Sequence, residues 1–271
     1  MANLEQMQQA WEEYAEAYDK AITPISTRVG EEAVRAAGVG PGMRLLDIAA
    51  GGGALSIPAA RGGADVIAVD YSRAMVGLLQ RKARDMGISN LEVRFMDGTA
   101  LELETATFDV ACSALGIMLF PDRAKGLREM ARVVKPGGKG VMVVFAAPQR
   151  VLFISLFFQA MAQAIPGFAP PQNSPLFCLQ DMEQLRREMT DAGFSDVQVQ
   201  QFETDLEVES ADHWWNMLVS GAPAIAGLLR GLPEERQRAI RSALQQIVAA
   251  RSDGRTPVKL PLAFNIAVAA K

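Results

Sequence analysis

The chain has 271 residues, enough for one large core or a core with a modest cap, but hardly for two independent domains of ordinary size. Its 27 basic and 31 acidic side chains leave a formal charge of -4 with no long basic run, which argues against nucleic acid as a partner, because phosphate contacts need a concentrated basic surface. Two cysteines, Cys112 in an apolar run and Cys178 after a proline-rich stretch, belong to no CxxC pair or Cys/His cluster, so a reducing compartment fits and no metal site is expected.

The N-terminal stretch MANLEQMQQAWEEYAEAYDK is polar and acidic, without the basic start or apolar centre of a secretion signal, and a cytoplasmic protein is expected. Trp11, Tyr14 and Tyr18 fall at helical spacing on one face together with Ala15. From Ala33 to about Lys139, short β-rich runs alternate with helical stretches, the pattern of a parallel sheet with crossover helices. MRLLDIAA, ADVIAVD, LEVRFMD, FDVACSALG and GKGVMVVFA are the strand candidates, each apolar on both faces as a sheet covered by helices requires. Helices are expected near Ala54–Arg61, Ser72–Met86 and Arg123–Val134, and KPGG at 135–138 reads as a helix stop followed by a turn.

Beyond Ala147 the rhythm changes. Residues 148–180 hold five prolines and five phenylalanines, too long and too apolar for a plain connector, and read as a helical lid. Its most apolar run, Val151–Phe158, falls well short of the roughly 20 residues that cross a bilayer, and no integral membrane contact is expected. Asp181 is placed as the N-cap of a helix that ends before Gly193. A strand DVQVQQFETDLEV, a helix around Trp214, another over Pro233–Arg251 and a closing strand LPLAFNIAVAAK follow, which brings the strand total to seven.

The stretch LLDIAAGGGAL, residues 45–55, carries a strand into small residues and then into a helix, so backbone amides at the helix start can approach a ligand closely. A P-loop is excluded by the absence of a GK[ST] ending, and a dinucleotide fingerprint is incomplete because Ser56 stands where its third glycine belongs. Asp70 ends the second strand, where an open α/β sheet places its ligand crevice. Its carboxylate either accepts the two hydroxyl protons of a ribose or caps the following helix.

Asp47-Ile48-Ala49-Ala50-Gly51-Gly52-Gly53 resembles the acidic-x-Gly-x-Gly-x-Gly motif of class I S-adenosylmethionine-dependent methyltransferases, with alanine in place of the first glycine. The resemblance continues in order through VIAVDYSRAMV, FMDGTALEL, FDVACSALGIMLFPD and EMARVVKPGGKG, and covers the first half of the chain. It implies a Rossmann-like α/β fold with a mostly parallel seven-stranded sheet, helices on both faces and a helical lid insertion. Within one methyltransferase domain over 1–271, residues 1–32 would be N-terminal cap helices, 33–147 the cofactor-binding core, 148–180 the lid, and 181–271 the rest of the sheet with a substrate cap.

The resemblance also implies S-adenosylmethionine as cofactor. Ala49, Ala50, Gly51 and Gly53 would form its loop, Asp70 would hold the ribose, Asp97 and Gly98 the adenine edge, and Ser113, Ala114 and Leu115 the methionine part. Tyr71 and Met75 would sandwich the adenine, or else pack as an ordinary helix start. In similar small-molecule methyltransferases the N-terminal helix folds over the cofactor, so Tyr14 or Tyr18 would close the site, whereas Trp11 reads as docking on the core.

Methyl transfer needs alignment and exclusion of water, and a base only when the acceptor enters protonated. His213, the single histidine, reads either as a surface residue at a helix start or as a base, and Tyr18 is a further catalytic candidate. Phe153, Phe157, Phe158, Phe168, Phe177, Trp214, Trp215 and Phe264 would line an apolar acceptor pocket or form the underside of the lid. The element order is closest to the quinone and natural-product methyltransferases, which implies a small, largely apolar organic substrate. Two rivals share the cofactor: a cyclase or isomerase that holds it unreacted, and a non-enzymatic binding protein.

Overall fold

Apolar runs such as LLDI and VMVVF are buried on both sides only when helices cover both faces of a sheet, and the computed structural model, which describes residues 4–171, 174–221, 223–252 and 257–271, is built this way. The strands are β1 (Arg44–Ile48), β2 (Asp65–Asp70), β3 (Leu91–Phe95), β4 (Phe108–Ala114), β5 (Val134–Phe145), β6 (Ser195–Val208) and β7 (Val258–Ala270). The helices are α1 (Leu4–Ala21), α2 (Thr23–Ala37), α3 (Ser56–Arg61), α4 (Arg73–Asp85), α5 (Arg123–Val133), α6 (Leu152–Ala164), α7 (Met182–Asp191), α8 (Ala211–Gly221), α9 (Pro223–Arg230) and α10 (Glu234–Arg251).

One sheet runs in the order β3-β2-β1-β4-β5-β7-β6. The pairs among β1 to β5 are parallel, while β7 lies antiparallel between β5 and β6. The chain therefore winds outward from β1 to β3 and returns to β4, so its direction reverses between β1 and β4. A crevice at the carboxyl ends of those two strands is the expected ligand position.

Alternate side chains along each strand enter two cores. Leu45, Val66, Val141 and Val143 join the face covered by α2, α3, α4, α6, α8 and α10. Leu46, Val69, Met142 and Val144 join the face covered by α5 and α7. Side-chain caps start three helices where the sequence offers them: Ser72 accepts from the Met75 amide, Asp122 from that of Lys125 and Asp181 from that of Gln184.

The structure departs from the sequence reading at three places. KPGG is not a turn before a strand: β5 already pairs at Val134 with Phe108, and its next partner pair is Lys139 with Val110, so the intervening residues loop out as a bulge within the strand. The N-terminal helical part extends past residue 32, since Val29, Ala33 and Ala37 of α2 are core residues. The 148–180 segment, of which 172 and 173 lie outside the described residues, contributes α6, with Ile154, Phe157 and Ala160 buried. A helix apolar around most of its circumference is a core helix, and α6 packs against β7 and α10. No helix among the described residues is long and apolar enough to cross a membrane.

The β6–β7 ribbon is longer than the rest of the sheet. β5 pairs with β7 only from Lys139–Ala270 to Phe145–Phe264, whereas β6 stays paired with β7 to Val208–Val258. The projecting part buries Leu206, Val208, Leu260 and Leu262 in the same core as Trp214 and Leu244.

Gly30 marks the tightest contact of α2, since a Cβ there would lie 2.2 Å from the Ala54 carbonyl oxygen. In an exposed helix Gly→Ala adds stability; here we expect Gly30→Ala to destabilise by about 1–3 kcal/mol through overpacking against backbone, read as a lower urea midpoint with an unchanged slope.

Candidate active site

The crevice opens at the switch between β1 and β4, with about 900 Å³ of open space counting its mouth. β1 delivers Ala49 and Gly51, β2 delivers Asp70, Tyr71 and Ser72, and α4 adds Met75. β3 leads into Met96, Asp97, Gly98 and Thr99, and β4 leads into Ala114, Leu115 and Gly116, followed by Leu119 and Phe120. The remaining wall comes from α1, through Gln8, Trp11 and Tyr18.

The two loops at the switch point are held in unusual backbone conformations. Ala49 (φ 61°) and Leu115 (φ 61°), each just past the end of its strand, lie in the left-handed region that side chains seldom adopt. Such outliers persist where their surroundings enforce them, and they concentrate at ligand sites. Gly116 permits their close approach, since a Cβ there would lie 2.5 Å from that of Ala49.

Asp70 joins the parts. Its Oδ2 accepts the Gly51 amide at 2.8 Å and its Oδ1 accepts the Ser72 amide at 2.9 Å. An ionised carboxylate offers about four acceptor sites, so two remain for a ligand. Burial pushes this carboxyl up from its ordinary value, the amides of Gly51 and Ser72 oppose the shift, and the nearby charge of Glu12 adds to it. Above Gly51 there is room: a Cβ built there meets nothing nearer than the Tyr18 ring, at 4.0 Å.

Tyr71 stacks on Phe95, with ring centroids 5.7 Å apart. Asp97 Oδ1 accepts the Thr99 amide at 2.8 Å. Gly98 admits the ring of Phe120, which would lie 2.6 Å from a Cβ. Trp11 packs edge-on against Tyr18 at 5.3 Å between centroids. Burial raises the Tyr18 phenol above its ordinary value, with a hydrogen bond to Ser26 working the other way. Tyr18 therefore meets a ligand as a neutral hydroxyl.

Of the residues singled out from the sequence, Tyr18, Ala49, Gly51, Asp70, Tyr71, Met75, Asp97, Gly98, Ala114 and Leu115 line this one crevice. Ala50 and Gly53 lie under the loop, where the Gly53 amide donates to the Ala50 carbonyl at 2.9 Å. Ser113 does not reach the crevice: its hydroxyl donates to Ile48 O at 2.9 Å and accepts the Ile117 amide at 3.1 Å. Tyr14 points away to α9, with the Arg230 guanidinium 5.1 Å from its ring centre. His213 stays at the start of α8, where its Nδ1 accepts the Glu209 amide at 3.2 Å.

None of the eight aromatic residues expected in an acceptor pocket lines the crevice either. Trp214 is buried with its Nε1 donating to Phe153 O at 3.2 Å, and Phe145 packs against both Phe177 and Phe264. The residues that sequence reasoning missed are Gln8, Trp11, Ser72, Met96, Thr99, Gly116, Leu119, Phe120 and Pro121. Trp11 could have been found, since it shares the helical stripe of Tyr18.

A methyltransferase-domain family model matches residues 45–138, the part that supplies β1 to β4 and most of the crevice. A demethylmenaquinone methyltransferase of Renibacterium salmoninarum is 33% identical over 174 residues, 60% of this chain and 71% of that protein. The chain belongs to the class I S-adenosylmethionine-dependent methyltransferases. An uncharacterized protein of Mycobacterium tuberculosis is 37% identical over 126 residues, 46% of this chain, so that the chain spans 44% of the length of that relative. Among solved structures, the YcgJ protein from Bacillus subtilis has the same fold, with a TM-score of 0.58 at 17% identity over 91% of this chain and 97% of that one.

Beneath the loop of this methyltransferase, Asp47 is 2% exposed, and its Oδ2 accepts from Ser56 Oγ at 2.5 Å. Burial lifts its carboxyl from 3.8 to about 7, the Ser56 hydrogen bond opposes the shift, and the Asp70 charge adds to it. Because the folded value is the higher one, Asp47 favours the fold when protonated; that contribution is full below about pH 4 and is lost as pH rises through about 7. We expect the melting temperature of the wild type to fall between pH 5 and pH 8, and Asp47→Asn, which keeps a neutral acceptor for Ser56, to flatten much of that fall.

Proposed function

We propose that the chain transfers a methyl group from S-adenosylmethionine to a small, largely apolar organic molecule. The observation that carries this reading is Asp70: a carboxylate fixed by two backbone amides beside open space, with acceptor sites left for a vicinal diol. Tyr71 and Met75 offer flanking surfaces for a flat base, and Asp97 with the backbone at Gly98 and Thr99 offers polar partners for its edge. The residues fit a nucleoside sulfonium on these grounds.

The donor supplies a methyl carbon already bonded to a good leaving group, so that an acceptor lone pair takes that carbon while the C–S pair returns to sulfur. The chain's own contribution is alignment and dryness. The apolar wall of Ala114, Leu115, Leu119 and Phe120 excludes water from one side of the crevice, and Trp11 with Tyr18 does so from the other. The titratable groups among the described lining residues are Tyr18, Asp70, Tyr71 and Asp97. Tyr18 is a neutral hydroxyl and Asp70 is engaged by amides, so an acceptor that arrives deprotonated or as a neutral amine suits the site best. The likeness to a demethylmenaquinone methyltransferase supports a ring-bearing, apolar acceptor.

Thermal shift and calorimetric titration with S-adenosylmethionine and S-adenosylhomocysteine test the reading. We expect both to stabilise the wild type, and Asp70→Ala, confirmed as folded by circular dichroism, to bind roughly 100-fold more weakly, the loss of about 3 kcal/mol from two charge-assisted hydrogen bonds. A folded wild type that neither ligand stabilises would overturn the assignment. With binding established, a methyl increment in product mass separates transfer from cyclisation or isomerisation.

A further inference from the structure

The orphan amides at the start of α4 lead to the inference. A helix leaves its first N–H groups without internal partners, and Ser72 serves Met75 here. The two amides before it, Arg73 and Ala74, are served by another helix: Glu12 of α1 accepts both, through Oε1 and Oε2, each at 2.7 Å. The arrangement is bidentate and places a negative charge at the positive end of the helix dipole. The same turn of α4 follows directly from Asp70, Tyr71 and Ser72, which line the crevice.

Helix α1 is a wall that rests on α4, α8 and α9 and lies outside the sheet. The chain breaks at Ile22, and α2 begins with Pro24 in its first turn. The apolar contact of α1 with α4 is a small cluster of its own, Ala15, Met75 and Leu78, apart from both main cores. The other tether to the loop, Lys82 to Asp19 and to the Gly52 carbonyl, lies close to the break. The exposed Arg81–Glu16 pair and the exposed contacts of Arg230 of α9 with Glu13 and Tyr14 hold little by comparison. Glu12 stands ten residues from the break, about 15 Å along the helix axis, one turn from Gln8 and next to Trp11.

We propose that Glu12 is a positioning residue that latches α1 over the crevice and thereby sets how fast a nucleoside ligand enters and leaves. The inference rests on the crevice being the S-adenosylmethionine site. While Glu12 holds Arg73 and Ala74, Trp11 and Tyr18 are fixed opposite Asp70 and Tyr71. Release of the carboxylate frees the outer half of α1 to swing about Ile22 and leaves the two α4 amides to water. Neither core is disturbed.

Stopped-flow fluorescence with S-adenosylhomocysteine, which reads Trp11 in the full chain, tests the latch. In Glu12→Ala we expect the dissociation rate constant to rise at least tenfold with the association rate constant unchanged or higher. Glu12→Gln, which keeps one carbonyl acceptor, is expected to fall between Glu12→Ala and the wild type. Rate constants do not depend on the folded fraction, so simple destabilisation cannot mimic this pattern. Should Trp11 give no signal, displacement of a labelled S-adenosylhomocysteine supplies the same constants. A wild type that does not bind would overturn the site assignment itself. Binding by the wild type, with the dissociation rate of Glu12→Ala unchanged, would overturn the latch alone.

Discussion

Two hydrogen bonds to one carboxylate hold the crevice together. Asp70 ends β2, yet it accepts an amide from the loop after β1 and another from the start of α4. Together with Lys82 of α4, which donates to the Gly52 carbonyl, that junction fixes the spacing between the glycine loop and the helix. With it, Ala49, Gly51, Tyr71 and Met75 keep one geometry around a shared anion. The strain at Ala49 is tolerable for the same reason, because Gly51 is pinned two residues later and the Ala50 amide is bonded to Val69 O at 3.0 Å.

A second buried acid lies one strand away. Burial raises the proton affinity of both acids, and the Asp70 charge raises that of Asp47 further. Their hydrogen bonds differ: Asp70 is met by the amides of Gly51 and Ser72, with that of Tyr71 also favouring its charge, and Asp47 by the hydroxyl and amide of Ser56 alone. The acid at the crevice is thus the one better equipped to carry charge, while the acid beneath it sits more comfortably protonated. A positive ligand at Asp70 would add to this division of roles.

The cofactor half of the fold was legible in the sequence because its signals are local. A strand that runs into LLDIAAGGG, an acid at the end of the next strand and FMDG after the third each announce their place by spacing, and the structure brings Ala49, Gly51, Asp70, Asp97 and Gly98 to one crevice. The rest depends on long-range packing. His213 looks like a base in isolation, but its ring nitrogen is taken by the Glu209 amide. Ser113 looks like a ligand group, but its hydroxyl is consumed at Ile48 and Ile117. The phenylalanines of α6 read as a lid because an apolar run has the same composition whether it covers a ligand or a sheet. Glu12 is one acid among several on a polar helix, and nothing local says that it meets α4, 61 residues away.

The projecting β6–β7 ribbon divides the labour of the molecule along its length. Its root is bonded to β5 and shares the sheet with the crevice, while its tip, from Val208 and Val258, carries packing for α6, α8 and α10. A cantilever of this kind lets the outer helices be recast in sequence and tilt while the strands that carry Asp47 and Asp70 stay in register. The family-model match over residues 45–138 takes in the strands that carry Asp47 and Asp70, whereas the ribbon, root and tip alike, lies beyond it.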